Sequence, residues 1–133
     1  QKVKKALDSP PAFYASHNER NIKKALDKDP STRWDSGAKQ VPGMWFMADL
    51  RYERTLDNIS LDTAASANDY PNAYEVYVSN DTNSWGAPVA KGEGKRGAPI
   101  IPLNGARGQY VKIVETGTSG WYWSIHEFAF NVK

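Results

Sequence analysis

Residues 73–79 of this 133-residue chain set Tyr74, Val76 and Val78 in one phase and Glu75, Tyr77 and Ser79 in the other. A period of two is what a strand with one buried face requires. Comparable short runs recur along the chain. Met44-Trp-Phe-Met-Ala-Asp-Leu50 is continuously apolar, as in a strand at the centre of a sandwich. Leu56, Asn58 or Ile59, and Leu61 suggest a further strand before a Thr63–Pro71 loop. Ile100–Leu103 and Tyr110–Glu115 flank an Asn104-Gly105 turn signal. Ala12–Asn18 reads as the start of the first strand, and Asn21–Leu26 as a short helical turn with Ile22, Ala25 and Leu26 inward. Asp35–Gly43 and Lys91–Pro99, rich in glycine and proline, read as connections. No stretch sustains a 3.6-residue period and no repeat is visible. Short strands punctuated by turn residues make an all-β sandwich or barrel.

The last strand carries an anomaly. Trp123 and Ile125 share one phase, and Phe128, Phe130 and Val132 share the other. Unless both faces are buried, the switch needs an irregularity such as a bulge near His126-Glu127. Glu127 would then be a carboxylate among aromatics, which calls for a partner or a metal. Near the other end, Asp27, Asp29 and Thr32 place three oxygen-bearing side chains within six residues, beside the stiffening Pro30. That is hard-cation chemistry, although Asp-Pro-Ser turns also occur for conformational reasons alone. A calcium shared with Glu127 would tie the two ends of the chain together.

Composition bounds the partners. Seventeen basic and fifteen acidic side chains give a net charge of +2, too little for a nucleic-acid footprint. There are no cysteines, so no disulfide scaffold exists. No run of eighteen apolar residues is present to span a membrane. Five Trp, seven Tyr and four Phe exceed core needs and leave rings for stacking on flat ligands. Catalytic signatures are missing: His126-Glu127 lacks the second histidine of a zinc protease helix, and no Gly-x-Ser-x-Gly elbow, phosphate-cradling loop or cysteine nucleophile appears. Residues 1–11, basic and ending in Pro10-Pro11, read as a linker or lead-in to a single domain at 12–133.

Three motifs occur in order: Ala-x-Asp-x-Asp-Pro-Ser-Thr-Arg-Trp at 25–34, Asn68-Asp-Tyr-Pro leading into Tyr74-Glu-Val-Tyr-Val-Ser-Asn-Asp81, and Trp123-Ser-Ile-His-Glu-Phe128. Together they resemble the discoidin-like family, also called coagulation factor 5/8 type C domains. Within it the chain looks most like bacterial family 32 carbohydrate-binding modules. The missing cysteines set it apart from the animal clotting-factor branch. The resemblance spans roughly residues 12–133 and implies a jelly-roll β-sandwich of about eight main strands, with a structural calcium and a sugar site in loops at one end. The implied calcium ligands are the carbonyls of Lys24, Asp29 and His126, the Asp27 side chain, both oxygens of Thr32, and the Glu127 carboxylate, about seven oxygens in all. Lys28 stands where relatives often have glycine, and a positive φ there would strain the loop.

The sugar-site positions the resemblance implies are Ser16, His17, Arg33, Asp35, Lys39, Thr63, Asn68, Tyr70, Trp121 and Tyr122. Tyr122 is out of phase with Trp123 and Ile125, so it faces outward and is the best stacking ring. Core packing is the alternative for Trp121 and the preferred reading for Trp123, and Arg33 could instead pair with a nearby aspartate. The Thr63–Tyr70 loop lacks the arginine of galactose-binding relatives. Ser16, Thr63, Ala64 and Ala38 lack the acidic and aromatic residues of chitosan-binding ones. The expectation is a non-catalytic module that holds a secreted, bacterial polysaccharide-degrading enzyme of the same parent chain to its poly- or oligosaccharide. It would be monomeric and extracellular, without nucleic acid or membrane partners. The rival reading is a cell-surface adhesion or membrane-surface domain, with Lys39, Val41 and Met44 as a faint hydrophobic spike.

Overall fold

A computed structural model describes residues 10–133; most of the expected lead-in at 1–11 lies outside the described residues. Eight strands alternate with loops: β1 (Ala12–Ala15), β2 (Trp34–Lys39), β3 (Trp45–Asp62), β4 (Ala73–Ser79), β5 (Ala90–Glu93), β6 (Ile100–Glu115), β7 (Tyr122–Ile125) and β8 (Glu127–Val132). The only helical element among the described residues is a 3-10 segment, Glu19–Ala25. All pairings are antiparallel, in the order β1-β3-β6-β4-β5, with β8 also on β3 and a separate β2-β7 ribbon. The architecture is the expected all-β sandwich.

Two long strands make the sandwich. Along β3 the register with β6 slips between Asp49 and Arg54, where Arg51 adopts φ 77°. Before the slip β3 pairs with β1; beyond it, from Leu56, with β8. An extra residue bends a strand and increases its twist, so one strand serves two layers. The expected pair of strands, Met44–Leu50 and Leu56–Leu61, is therefore a single bent one. Similarly, the Asn104-Gly105 turn is a kink inside β6, both residues having positive φ. The layers close over Phe46, Leu56, Ile59, Leu61, Val76, Ile113 and Phe128, all buried.

The phase switch after Ile125 has a different cause from the bulge expected there. β7 pairs with β2, His126 crosses over, and β8 begins on β3 with Glu127 opposite Asp62. The chain changes sheet, so each segment buries its own face. The Asp35–Gly43 stretch, read as a connection, holds most of β2, and Ala90–Glu93 forms β5. Glycines interrupt both strands, which hid their alternation.

Glu115 ends β6 fully buried. Its Oε1 accepts from the Ala73 and Gly117 amides at 3.1 and 3.0 Å, and Oε2 has no partner among the described residues. Burial pushes its carboxyl above the usual carboxylate range, against the pull of the backbone amides. A raised folded pKa gives stability that is complete below the unfolded value near ~4.3 and is lost as pH rises through the folded pKa. Glu115→Gln cannot ionise. Its melting temperature relative to the parent is expected to rise as pH increases above about 4 and then level off; a difference independent of pH would refute the assignment.

Candidate functional site

The turn after the 3-10 segment is built by its own carboxylates. Asp27 Oδ1 accepts the Asp29 amide at 3.0 Å. Asp29 Oδ1 accepts the Ser31 amide and hydroxyl at 3.0 and 2.6 Å. Side chains that fold back on the backbone in this way fix tight turns. The Asp29 carbonyl accepts the Thr32 amide at 3.1 Å.

Thr32 Oγ1 has three acceptors within reach: Asp27 Oδ2, the Asp29 carbonyl at 3.1 Å and the Lys24 carbonyl at 3.5 Å. A hydroxyl donates a single proton and the Asp29 carbonyl already takes the Thr32 amide, so the Asp27 carboxylate and the Lys24 carbonyl are left to compete for the Thr32 hydroxyl. Glu127 adds a fourth oxygen source. It faces Asp27, its Oε1 is buried without a hydrogen-bond partner among the described residues, and burial followed by the nearby Asp27 carboxylate pushes its pKa up. Asp27 itself is held low, first by the Thr32 hydroxyl and then by the Asp29 amide. Oxygen acceptors in excess of donors, from the 24–32 stretch and from Glu127, fit a hard cation. Among the described residues no three His, Cys, Asp or Glu side chains form a group that could hold a metal ion, and most of the candidate oxygens here are carbonyls and a hydroxyl. Lys28 has φ 60°, the conformation that its place in the motif called into question.

The second feature lies at the mouth of the β2-β7 ribbon. Trp34 and Trp123 are buried edge to face at 5.4 Å. Their strand neighbours Arg33 and Tyr122 consequently point the other way. Tyr122 is 42% exposed and Trp121 is 54% exposed, so the core alternative for Trp121 fails while the core reading of Trp123 holds. Arg33, Asp69, Gly120, Trp121 and Tyr122 line one notch of about 280 Å³. Trp121 also lines a neighbouring notch of about 240 Å³ with Asn68, Tyr70, Asn72, Thr118 and Ser119. Both are smaller than the ~300–1,000 Å³ of drug-sized pockets, a scale suited to single rings.

Arg33 is pinned rather than loose. Its Nη1 donates to Asp69 Oδ2 at 2.6 Å and to Ser66 Oγ at 3.1 Å, and Nε lies 3.6 Å from Asp35. The ion-pair alternative is thus realised, with two aspartates. Asp69 is buried and also accepts from Ser124 Oγ at 2.8 Å. Gln40, fully buried and missed in the sequence, holds the surrounding loops. It donates to the Tyr70 and Tyr122 carbonyls at 2.9 and 3.2 Å and accepts the Asn72 amide at 2.7 Å. A lone glutamine in a glycine-rich stretch gives no local signal of that role.

Of the other expected residues, Asp35 stays beside Arg33 and the rest scatter. Asp35 bonds Asn18 and the Gly37 amide. Lys39 is exposed, paired across the ribbon with Tyr122. Ser16 and His17 bond each other and Ser16 reaches Trp45, outside both notches. Thr63 is buried, with its hydroxyl on the Gly97 carbonyl at 3.4 Å.

A family model described as F5/8 type C domain matches residues 8–128. Among solved structures, the family 32 module of Clostridium perfringens NanJ in complex with galactose is similar at TM-score 0.75 and 21% identity, covering 90% of this chain and 92% of that one. A C. perfringens module of the same family in complex with GalNAc-β-1,3-galactose gives 0.77 at 17%, covering 90% and 94%. Chitosan-binding module 1 of a chitosanase/glucanase from Paenibacillus sp. IK-5, as a selenomethionine-labelled variant, gives 0.76 at 25%, covering 96% and 97%. No curated protein matches the chain.

A side chain with φ near +60° is strained where glycine is not. Lys28→Gly should therefore stabilise the domain by about 0.5–1 kcal/mol, read as a higher denaturation midpoint; an unchanged or lower midpoint would show the turn to be unstrained.

Proposed function

From the premise that this chain belongs to the F5/8 type C domain family, we propose that it is a non-catalytic carbohydrate-binding module that holds an attached, secreted polysaccharide-degrading enzyme to its glycan. The observation that carries this reading is the exposed Trp121-Tyr122 pair beside the pinned Arg33. Indole and phenol faces stack on the C–H face of a sugar ring, while amides, hydroxyls and a fixed guanidinium take its hydroxyls. Ordered donors lose little entropy on binding. Asn68, Asn72, Thr118 and Ser119 are uncharged, and the Arg33 charge is offset by Asp69 and Asp35. A neutral sugar, at a chain end or in a short segment, suits this groove best.

Calcium is the cation proposed for the Asp27–Thr32 loop. Lys24, Asp27, Asp29, Thr32, His126 and Glu127 would hold it, and its part is structural, clamping the loop that precedes β2 to the start of β8. The neighbours being binding modules supports a role without turnover. A parent enzyme, a monomeric state and an extracellular bacterial setting are part of the same proposal. Among the described residues no helix is long and apolar enough to cross a membrane. The membrane-spike rival also weakens, because Met44 is 2% exposed and packs inward, which leaves Val41 alone.

Affinity electrophoresis through galactans, α- and β-glucans, chitosan and uronates is expected to retard the domain in at least one gel. Trp121→Ala should weaken that binding about fivefold or more, as stacking losses of ~1–3 kcal/mol imply, without lowering the melting temperature. Equal retardation of parent and variant would discard the groove. In a separate melt, chelation should lower the melting temperature, since a cation present at ~100 times its Kd adds about 2.7 kcal/mol to the native state; no shift after exhaustive chelation would remove the calcium.

A further inference from the structure

We propose that cation occupancy of the Asp27–Thr32 loop sets the position of Arg33, and with it the sugar affinity of the groove, through a relay with a buried centre in which Ser66 is the positioning residue. This rests on the calcium and sugar readings above. The relay is continuous. The Pro30 carbonyl lies 2.7 Å from His126 Nδ1, His126 Nε2 lies 2.6 Å from Ser66 Oγ, and Ser66 Oγ accepts from Arg33 Nη1 at 3.1 Å. Arg33 then ends on Asp69 Oδ2 at 2.6 Å.

The ends fix the direction of each bond. A proline carbonyl can only accept, so His126 Nδ1 carries the proton and Nε2 accepts from the Ser66 hydroxyl. Ser66 has then donated its proton and keeps a lone pair for Arg33. His126 and Ser66 are both buried, where water does not compete and hydrogen-bond chains reinforce one another.

Pro30 stands between the Asp29 and Thr32 oxygens that face the cation. With the cation bound, the surplus acceptors around Thr32 are satisfied and the loop is held, and so is the Pro30 carbonyl. Without it, the turn rests on its own side-chain bonds alone, Asp27 Oδ1 on the Asp29 amide and Asp29 Oδ1 on Ser31, and Glu127 Oε1 keeps no partner among the described residues. The Pro30 end of the relay is then held less firmly. Thr32 also adjoins Arg33 along the backbone, so the side-chain route is isolated only by removing the Ser66 hydroxyl. The backbone bond from Ser66 N to the Thr63 carbonyl, 2.9 Å, survives that change.

The test compares the parent, Ser66→Ala and Ser66→Thr, each with saturating calcium and after chelation. Proton exchange of the Arg33 Nε–H by heteronuclear NMR reads the relay without any sugar. The retarding polysaccharide reads its consequence. In the parent, calcium should slow Arg33 Nε–H exchange and tighten glycan binding about fivefold or more, the low end of coupling between sites. In Ser66→Ala both responses should fall below about twofold, and Ser66→Thr, which keeps the hydroxyl, should restore them. Thermal melts with calcium identify any variant that no longer folds or binds the cation, and Ser66→Thr then decides. An Arg33 signal indifferent to calcium in the parent, or an equal response in Ser66→Ala, overturns the relay. An Arg33 signal that responds while no polysaccharide is retained supports the relay and refutes the sugar reading instead.

Discussion

The edge-to-face contact of Trp34 and Trp123 is the constraint on which the rest of the molecule depends. It joins the two strands of the β2-β7 ribbon and extends through Phe46, 5.3 Å from Trp34, to Phe128 at 5.7 Å. Four rings from β2, β3, β7 and β8 thereby meet in one cluster. Truncating a buried Trp costs ~3–5 kcal/mol, a large part of the ~5–15 kcal/mol that holds a domain together. Burial of these two indoles also settles what faces outward. In an extended chain the neighbour of a buried residue points to the opposite side, which puts Arg33 and Tyr122 at the groove. The core and the candidate site are two faces of the same strands.

Polar groups buried under that groove convert a surface into a site. An arginine on a loop would sample many rotamers, but Arg33 is fixed by Ser66, Asp69 and Asp35. Asp69 is in turn fixed by Ser124 on β7. Gln40 ties the Tyr70–Asn72 segment to the Tyr122 backbone. Buried hydrogen bonds of this kind are expensive to leave half-made, so the loops that carry the exposed aromatics have few alternatives. The oxygen-rich turn meets the same network from the other side through His126.

Much of this was legible in the chain. Period-two alternation gave β4 with its bounds, placed Trp123 inside and turned Tyr122 outward. The oxygens gathered around Thr32 were legible from Asp27 and Asp29, and the need of the Glu127 carboxylate for a partner from its place among aromatics. What escaped lies where the signal is non-local. Trp121 precedes β7, so no strand phase assigns it a side, and its exposure depends on Ser119 and Gln40. Ser66 and Gln40 act on residues about thirty or more positions away, a relation that no local pattern encodes. The breaks in β3 and β6 read as strand ends because Arg51, Asn104 and Gly105 leave the extended region without ending the strand. His126 looked like the centre of a bulge, although it is the point where the chain changes sheets.

The central claim is that a sugar binds on the Trp121-Tyr122 edge of the ribbon. The most direct measurement is a titration of the nitrogen-labelled domain with oligosaccharides of a retarding polysaccharide, following the five indole N–H resonances. The expected result is a saturable shift of the Trp121 signal, with the buried Trp34 and Trp123 signals unmoved. Saturable shifts confined to Trp45 or Trp85, or binding with no indole response at all, would place the glycan elsewhere and contradict it.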